Sequence, residues 1–306
     1  QNNYERSALN QVGYATENTD KAARKKEIES LSTPLFGSLR KGGGPRTLAT
    51  GVLSSKKFDP FKELEGSWAK AQLQATGYGT AKIADAVREA SRRVRDGESV
   101  HERDGVNFST IEYCWPVLSG LLLAASAQKG ELRVVDFGGS LGTTYFQNRR
   151  YFDELRSVKW GVVEQPSFSK IGRAEFANEE LCFHLQFESA CEEILPSVVH
   201  FGSSLQYVED PRLLLASAAA SGAKHLILDR TPLHAGPRDI LTMQTVPESI
   251  YEGEYPAWIF SKDLLFRDLS KQWDLLEVFN SVGSRSRTDL GTSFEWKGAH
   301  FLRQRG

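Results

Sequence analysis

Between residues 132 and 229 the chain alternates short apolar runs with mixed, helix-sized intervals, and this alternation constrains the fold more than any other feature. The runs span 132–137, closed by Gly138-Gly139; 160–163, closed by Glu164; 181–187; 198–201; and 224–228, closed by Asp229. Strands of that length joined through helices form right-handed crossovers, hence a mostly parallel sheet with helices on both faces. Two later runs, 275–279 and 299–303, have no clear helix between them and are expected to pair antiparallel at the sheet edge. No internal repeat interrupts this scheme.

Upstream the pattern differs. Residues 1–60 are polar, with a basic run Arg24-Lys25-Lys26 and a breaker cluster Lys41-Gly42-Gly43-Gly44-Pro45, and are expected to form an irregular arm or linker. The basic run fits a solvated helix face. Residues 61–128 are expected to form a helical cap. Ile83, Ala84, Ala86, Val87, Ala90 and Val94 share one face at helical spacing, Gly97 follows as a stop, and a second helix covers 115–127. Residues 129–306 then hold the sheet.

Composition narrows the classes. A formal net charge of −1 over 306 residues lacks the basic excess of a nucleic-acid binder, so no nucleic-acid partner is expected. No apolar run approaches the ~18 residues of a membrane span. Cys114, Cys182 and Cys191 have no metal-site spacing, and no metal cluster is expected. A reduced, cytoplasmic setting is the simplest reading, with the inner face of the membrane as its outer limit. The chain opens on Gln1 and its sole methionine is Met243, which reads as a domain excised from a longer polypeptide.

The segment Val134-Val135-Asp136-Phe137-Gly138-Gly139-Ser140-Leu141-Gly142-Thr143-Thr144 carries the chemistry. A buried strand ends in an acid, then a glycine turn that lets backbone approach a ligand, then a helix. Ser140 stands where a dinucleotide fingerprint needs its second glycine, and no P-loop is present. Glu164, at the end of the next strand, is placed to accept from both hydroxyls of a ribose. Together these match the S-adenosylmethionine site of class I methyltransferases, with Asp136, Gly138, Gly139, Ser140, Gly142, Glu164 and Gln165 as cofactor-binding candidates. Gln186 and Phe187 follow the third strand, where adenine contacts are made; Phe187 either stacks on adenine or packs in the core. Small Ser203 and Ser204 leave room for the methionine part.

The chain further resembles a family of methyltransferases encoded among bacterial surface-polysaccharide (O-antigen and capsule) genes. The resemblance rests on Glu102-Arg103-Asp104, Trp115-Pro116, the segment Asp136 to Gly142, Tyr145-Phe146-Gln147-Asn148-Arg149 and Val163-Glu164-Gln165. It continues in Ser203-Ser204-Leu205-Gln206-Tyr207, Asp229-Arg230-Thr231-Pro232, Val246-Pro247, Ile250-Tyr251 and Tyr255-Pro256-Ala257-Trp258-Ile259-Phe260. It covers the chain from about Trp68 onward. It implies a Rossmann-like, seven-stranded class I sheet with an antiparallel edge strand, S-adenosyl-L-methionine as cofactor, and a saccharide or glycan acceptor. Fusion to, or association with, other glycan-assembly domains fits that setting.

For the acceptor, the candidates are Arg103, Tyr207, Asp229, Arg230 and Tyr255. The Asp229–Arg230 pair either orients a hydroxylated or anionic acceptor or forms a structural ion pair. The aromatic stretch Tyr251, Tyr255, Trp258 and Phe260 either walls a sugar pocket or forms core under a lid. Asp104, His101 and His234 are candidates for the base that takes the acceptor's proton, whereas His184, His200 and His225 lie in apolar strand runs and are expected to be core. Two other classes remain open: a non-catalytic cofactor-binding module, and another nucleoside-dependent transferase on the same fold.

Overall fold

The computed structural model describes residues 60–75, 81–246 and 253–304. The arm at 1–59 and Tyr251 lie outside these residues. In chain order the elements are β1 (Phe61–Glu63), α1 (Trp68–Gln74), α2 (Ala81–Arg95), β2 (His101–Arg103), β3 (Val106–Phe108), α3 (Trp115–Ala127), β4 (Glu131–Phe137) and α4 (Thr143–Asn148). Then come β5 (Ser157–Val163), α5 (Pro166–Glu175), β6 (Leu181–His184), α6 (Phe187–Ile194), β7 (Val198–Gly202), α7 (Pro211–Ala220) and β8 (His225–His234). The chain continues through β9 (Ile240–Val246), β10 (Gly253–Ser261), α8 (Lys262–Leu269), β11 (Trp273–Arg287) and β12 (Ser293–Arg303).

The five runs form the parallel strands β4 to β8, ordered β6-β5-β4-β7-β8. β12 continues the sheet antiparallel to β8, and β11 pairs antiparallel with β12. Seven strands in this order, with crossover helices, make an α/β, Rossmann-like sheet. The two late runs pair antiparallel with each other as expected, with β11 outermost and β12 between it and β8. The third strand ends at His184 rather than at residue 187, because Phe187 already begins α6.

Neighbouring residues of each strand point to opposite faces, and this divides the core in two. Val134, Trp160, Val162, Val198 and Ile227 pack under α2, α3 and α5 with Leu121, Ala124 and Phe168. Val135, Val163, Val199, Phe201 and Leu228 pack against α6, α7 and α8 with Ala190, Leu215 and Leu265. Helix α3 therefore covers the sheet over β4 and β8 instead of capping it, whereas α2 packs on α4, α5 and the β2–β3 hairpin. Ala86, assigned to that stripe, is exposed.

Three further strands were not anticipated. The last residues of β8, Leu233 and His234, pair with Phe260 and Ser261 of β10, which continues to β9 and β1 and completes a ten-stranded sheet. Phe61 thus sits opposite Gln244 inside the main sheet rather than in a cap. Both faces of this extension are covered. Trp68 and Ala71 of α1 pack on Leu241 and Met243, while Phe61, Ile259, Phe294 and Trp296 cluster on the other face.

Candidate active site at the carboxyl edge of the sheet

The loop after β4 is built from left-handed backbone, with Gly138 at φ 71°, Ser140 at φ 56° and Gly142 at φ 94°. A Cβ on Gly138 would lie 2.4 Å from Cβ of Ser204, and one on Gly139 would lie 2.6 Å from Oδ2 of Asp136. Neither position tolerates a side chain. Ser204 Oγ donates to the Phe137 carbonyl at 2.6 Å, which ties the ends of β4 and β7 together. Beneath the loop, Asp136 is fully buried and accepts from Trp160 Nε1 at 3.2 Å and from His200 Nδ1 at 2.8 Å. Its carboxylate therefore anchors the sheet edge beside the cavity.

Glu164 follows β5 and holds the loop from the other side. Its carboxylate accepts from the amide of Ser140 at 3.1 Å and from that of Gln165 at 2.9 Å. Burial outweighs these two bonds and pushes its pKa up to about 7. A carboxylate offers about four lone-pair positions, so two remain for a ligand.

These groups border a cavity of about 600 Å³, within the ~300–1,000 Å³ range of small-molecule sites. One end is lined by Asp136, Gly138, Gly139, Ser140, Glu164, Gln165 and Gln186; Ser203, Ser204 and Tyr207 follow, and Arg103, Asp104, Arg230 and Tyr255 complete the wall. The motif at 103–104 and the motif at 229–230 thus meet in one pocket. Tyr207 donates to Gln244 Oε1 at 3.0 Å and meets Tyr255 edge-on at 5.2 Å between ring centres.

Several candidates occupy other places. Phe187 is 4% exposed, stacks on Phe201 and belongs to the core; the exposed Leu185 lines the cavity in its stead. Gly142 lies off the cavity wall and serves as the left-handed cap of α4. His101 is buried against Phe108, and burial together with Arg103 and Arg230 pushes its pKa down to about 4. His234 is buried too: its ring nitrogens meet the Arg238 carbonyl and the Gly236 amide. Neither histidine lines the cavity. Asp229 stands behind the wall, accepting from Ser281 Oγ at 2.7 Å and pairing with Arg230 Nη1 at 2.9 Å.

Other participants carry no signature in the motifs. Trp68 and Gln72 of α1 line the cavity, with Trp68 stacked 5.7 Å from Trp258. Gln244 and Trp296 join from strands far along the chain. The polar stretch around Glu102 is a β-hairpin, and Glu102 is buried and hydrogen-bonded to the Thr143 hydroxyl, fixing the hairpin over the glycine loop. A polar Gln244 within an apolar run was the one sequence signal available. The fold also gathers Cys182, His184 and Glu193, a grouping the spacing did not suggest. Burial raises the Cys182 pKa to about 11, so it is a thiol, 3.3 Å from His184 Nε2.

No protein-family profile and no curated protein matches the chain. Among solved structures, it is similar to the N-terminal domain of EvdMO1, determined in the presence of SAH and D-fucose, at 14% identity over 71% of this chain and 97% of that one, with a TM-score of 0.45. It is also similar to the glycopeptide N-methyltransferase MtfA complexed with sinefungin, at 12% identity over 61% and 94% of the two chains and a TM-score of 0.40. Magnesium protoporphyrin IX methyltransferase ChlM from Synechocystis PCC 6803, with bound SAM, gives 11% identity over 74% and 87%, with a TM-score of 0.38.

Proposed function

We propose that the chain is an S-adenosylmethionine-dependent methyltransferase acting on a sugar or glycan-linked group in surface-polysaccharide assembly. The observation that carries the reading is the glycine loop facing Glu164: two side-chain-free positions lie beside a carboxylate with two acceptor sites left over. That arrangement fits a nucleoside without phosphates, because Glu164 offers a diol acceptor and the glycine loop lacks the lysine of a P-loop.

When bound, the cofactor supplies an electrophilic methyl group on sulfur. Glu164, Gln165 and Gln186 serve its nucleoside end, and the Gly138–Ser140 backbone with Ser203 and Ser204 serves its methionine end. Leu185 supplies the apolar surface first assigned to Phe187. The acceptor enters beside Tyr207, Tyr255, Arg103 and Arg230. Asp104 is the group best placed to take the acceptor hydroxyl's proton, since His101 and His234 lie off the wall. A base in hydrogen-bond reach of a weakly acidic hydroxyl contributes about 10²–10⁴-fold, and positioning supplies much of the rest. The test is transfer of a labelled methyl from S-adenosylmethionine to a panel of polysaccharide-precursor sugars. A product heavier by one methyl supports the proposal; binding of the cofactor with no transfer to any saccharide counts against it.

A further inference from the structure

We infer that the acceptor is an anionic saccharide, whose carboxylate or phosphate is gripped by Arg103 and Arg230 together; the inference rests on the methyltransferase reading above. Both arginines line the cavity, in company with the acids Asp104, Asp136 and Glu164.

Arg230 is braced rather than free. Its Nη1 meets Asp229 Oδ2 at 2.9 Å, Asp229 Oδ1 accepts from Ser281 Oγ, and the Arg230 amide donates to the same Ser281 oxygen at 2.9 Å. The residue holds a left-handed φ of 48°, a conformation arginine rarely adopts. Its Nη2 lies 3.3 Å from where a Cβ on Gly202 would sit, so a side chain there would crowd the fork. One edge of the guanidinium is committed to Asp229, and Arg230 lines the cavity.

Arg103 complements it. Its guanidinium lies over the Phe108 ring at 5.4 Å, and among the described residues no carboxylate comes within ion-pair distance of it, its neighbour Asp104 included. Burial and the charge of Arg230 both oppose its protonation. Two guanidinium groups facing one cavity repel each other, and an anion between them removes that repulsion while accepting paired N–H bonds from planar forks. The Tyr207 and Tyr255 rings offer apolar surface for the sugar. Asp104 stays available for the hydroxyl.

The cofactor carries a carboxylate of its own, so the experiment separates the two sources. Wild-type protein is titrated calorimetrically with glucuronate, glucose 6-phosphate and glucose, with and without S-adenosylhomocysteine. We expect the two anions to bind at least about tenfold tighter than glucose, with a preference that weakens as salt rises. Arg103→Gln should lose most of that preference, Arg103→Lys should recover part of it, and S-adenosylhomocysteine affinity should stay within about twofold in both. Equal binding of all three sugars, or binding of none, overturns the inference. So does a tenfold loss of S-adenosylhomocysteine affinity in Arg103→Gln with the anion preference intact, which assigns the arginine to the cofactor. Anion binding by a protein that never binds S-adenosylhomocysteine leaves the anion site standing and removes the methyltransferase reading. Arg103 lies on a short hairpin outside the main sheet, so its variants do not stand or fall with the core.

Discussion

Glu164→Ala separates the cofactor reading from a purely structural one. The carboxylate has about four lone-pair positions, and the amides of Ser140 and Gln165 take two of them. Two remain for the two hydroxyls of a ribose. Hydrogen bonds to a charged group contribute about 1.5–3 kcal/mol each, so the variant should lose ~3–6 kcal/mol of cofactor binding, or roughly 10²–10⁴-fold in Kd. The same group makes binding pH-dependent. Its pKa in the free protein is raised to about 7 by burial, and two hydroxyl donors favour the ionised form. Affinity should therefore rise with pH as Glu164 ionises, by up to about tenfold per pH unit below pH 7, and binding should release a proton. Calorimetry with S-adenosylhomocysteine from pH 5.5 to about 8.5, in buffers of differing ionisation enthalpy, reads all three effects. Glu164→Gln should flatten the profile. Wild-type affinity in a folded Glu164→Ala protein, or a flat profile in the wild type, would refute the assignment.

Gly138→Ala places a methyl 2.4 Å from Cβ of Ser204 at a left-handed φ; strain and overpacking together cost about 2–5 kcal/mol, and an unchanged melting temperature would contradict the loop geometry. Asp104→Asn keeps a residue that tolerates its left-handed φ of 53°, so cofactor affinity should hold while methyl transfer falls at least about tenfold, or ~1.4 kcal/mol of barrier; an unaltered rate removes Asp104 as the base. His300 lies 2.9 Å from His225 in the core, and burial lowers its pKa from 6.5 to about 4. The unfolded chain binds that proton first, so stability is lost as pH falls from 6.5 towards 4, by about 3 kcal/mol at ~1.4 per unit. Thermal melts at pH 7 and pH 5 should show a smaller acid loss in His300→Gln than in the wild type, and equal losses would refute it.

Much of this fold is legible in short stretches of chain. Strand period and glycine placement are local properties: Val134 and Val135 point to opposite faces because of the pleat, and Gly138-Gly139 closes β4 wherever that strand is placed. Glu164 follows from the same rule, as the residue just after the last position of β5. The parallel sheet and the pocket wall at Gly138, Gly139 and Glu164 were therefore readable from residues a few positions apart.

The rest of the pocket wall was decided elsewhere. Phe61 joins the main sheet only because Gln244 lies opposite it, and β9 and β10 form a strand pair only under the cover of α1 and the Phe294–Trp296 cluster. Phe187 and Leu185 are both apolar, and only the packing of α6 against β7 sends the first into the core and the second to the cavity. Asp229 and Arg230 read alike as a charged motif, yet Ser281, some fifty residues later, turns the first into a brace and leaves the second on the cavity wall. Dihedral preference and periodicity act over a few bonds, whereas burial and pairing depend on which distant segment arrives alongside. For this chain the sequence by itself determined the sheet and its glycine loop, and tertiary packing decided which polar groups meet across it.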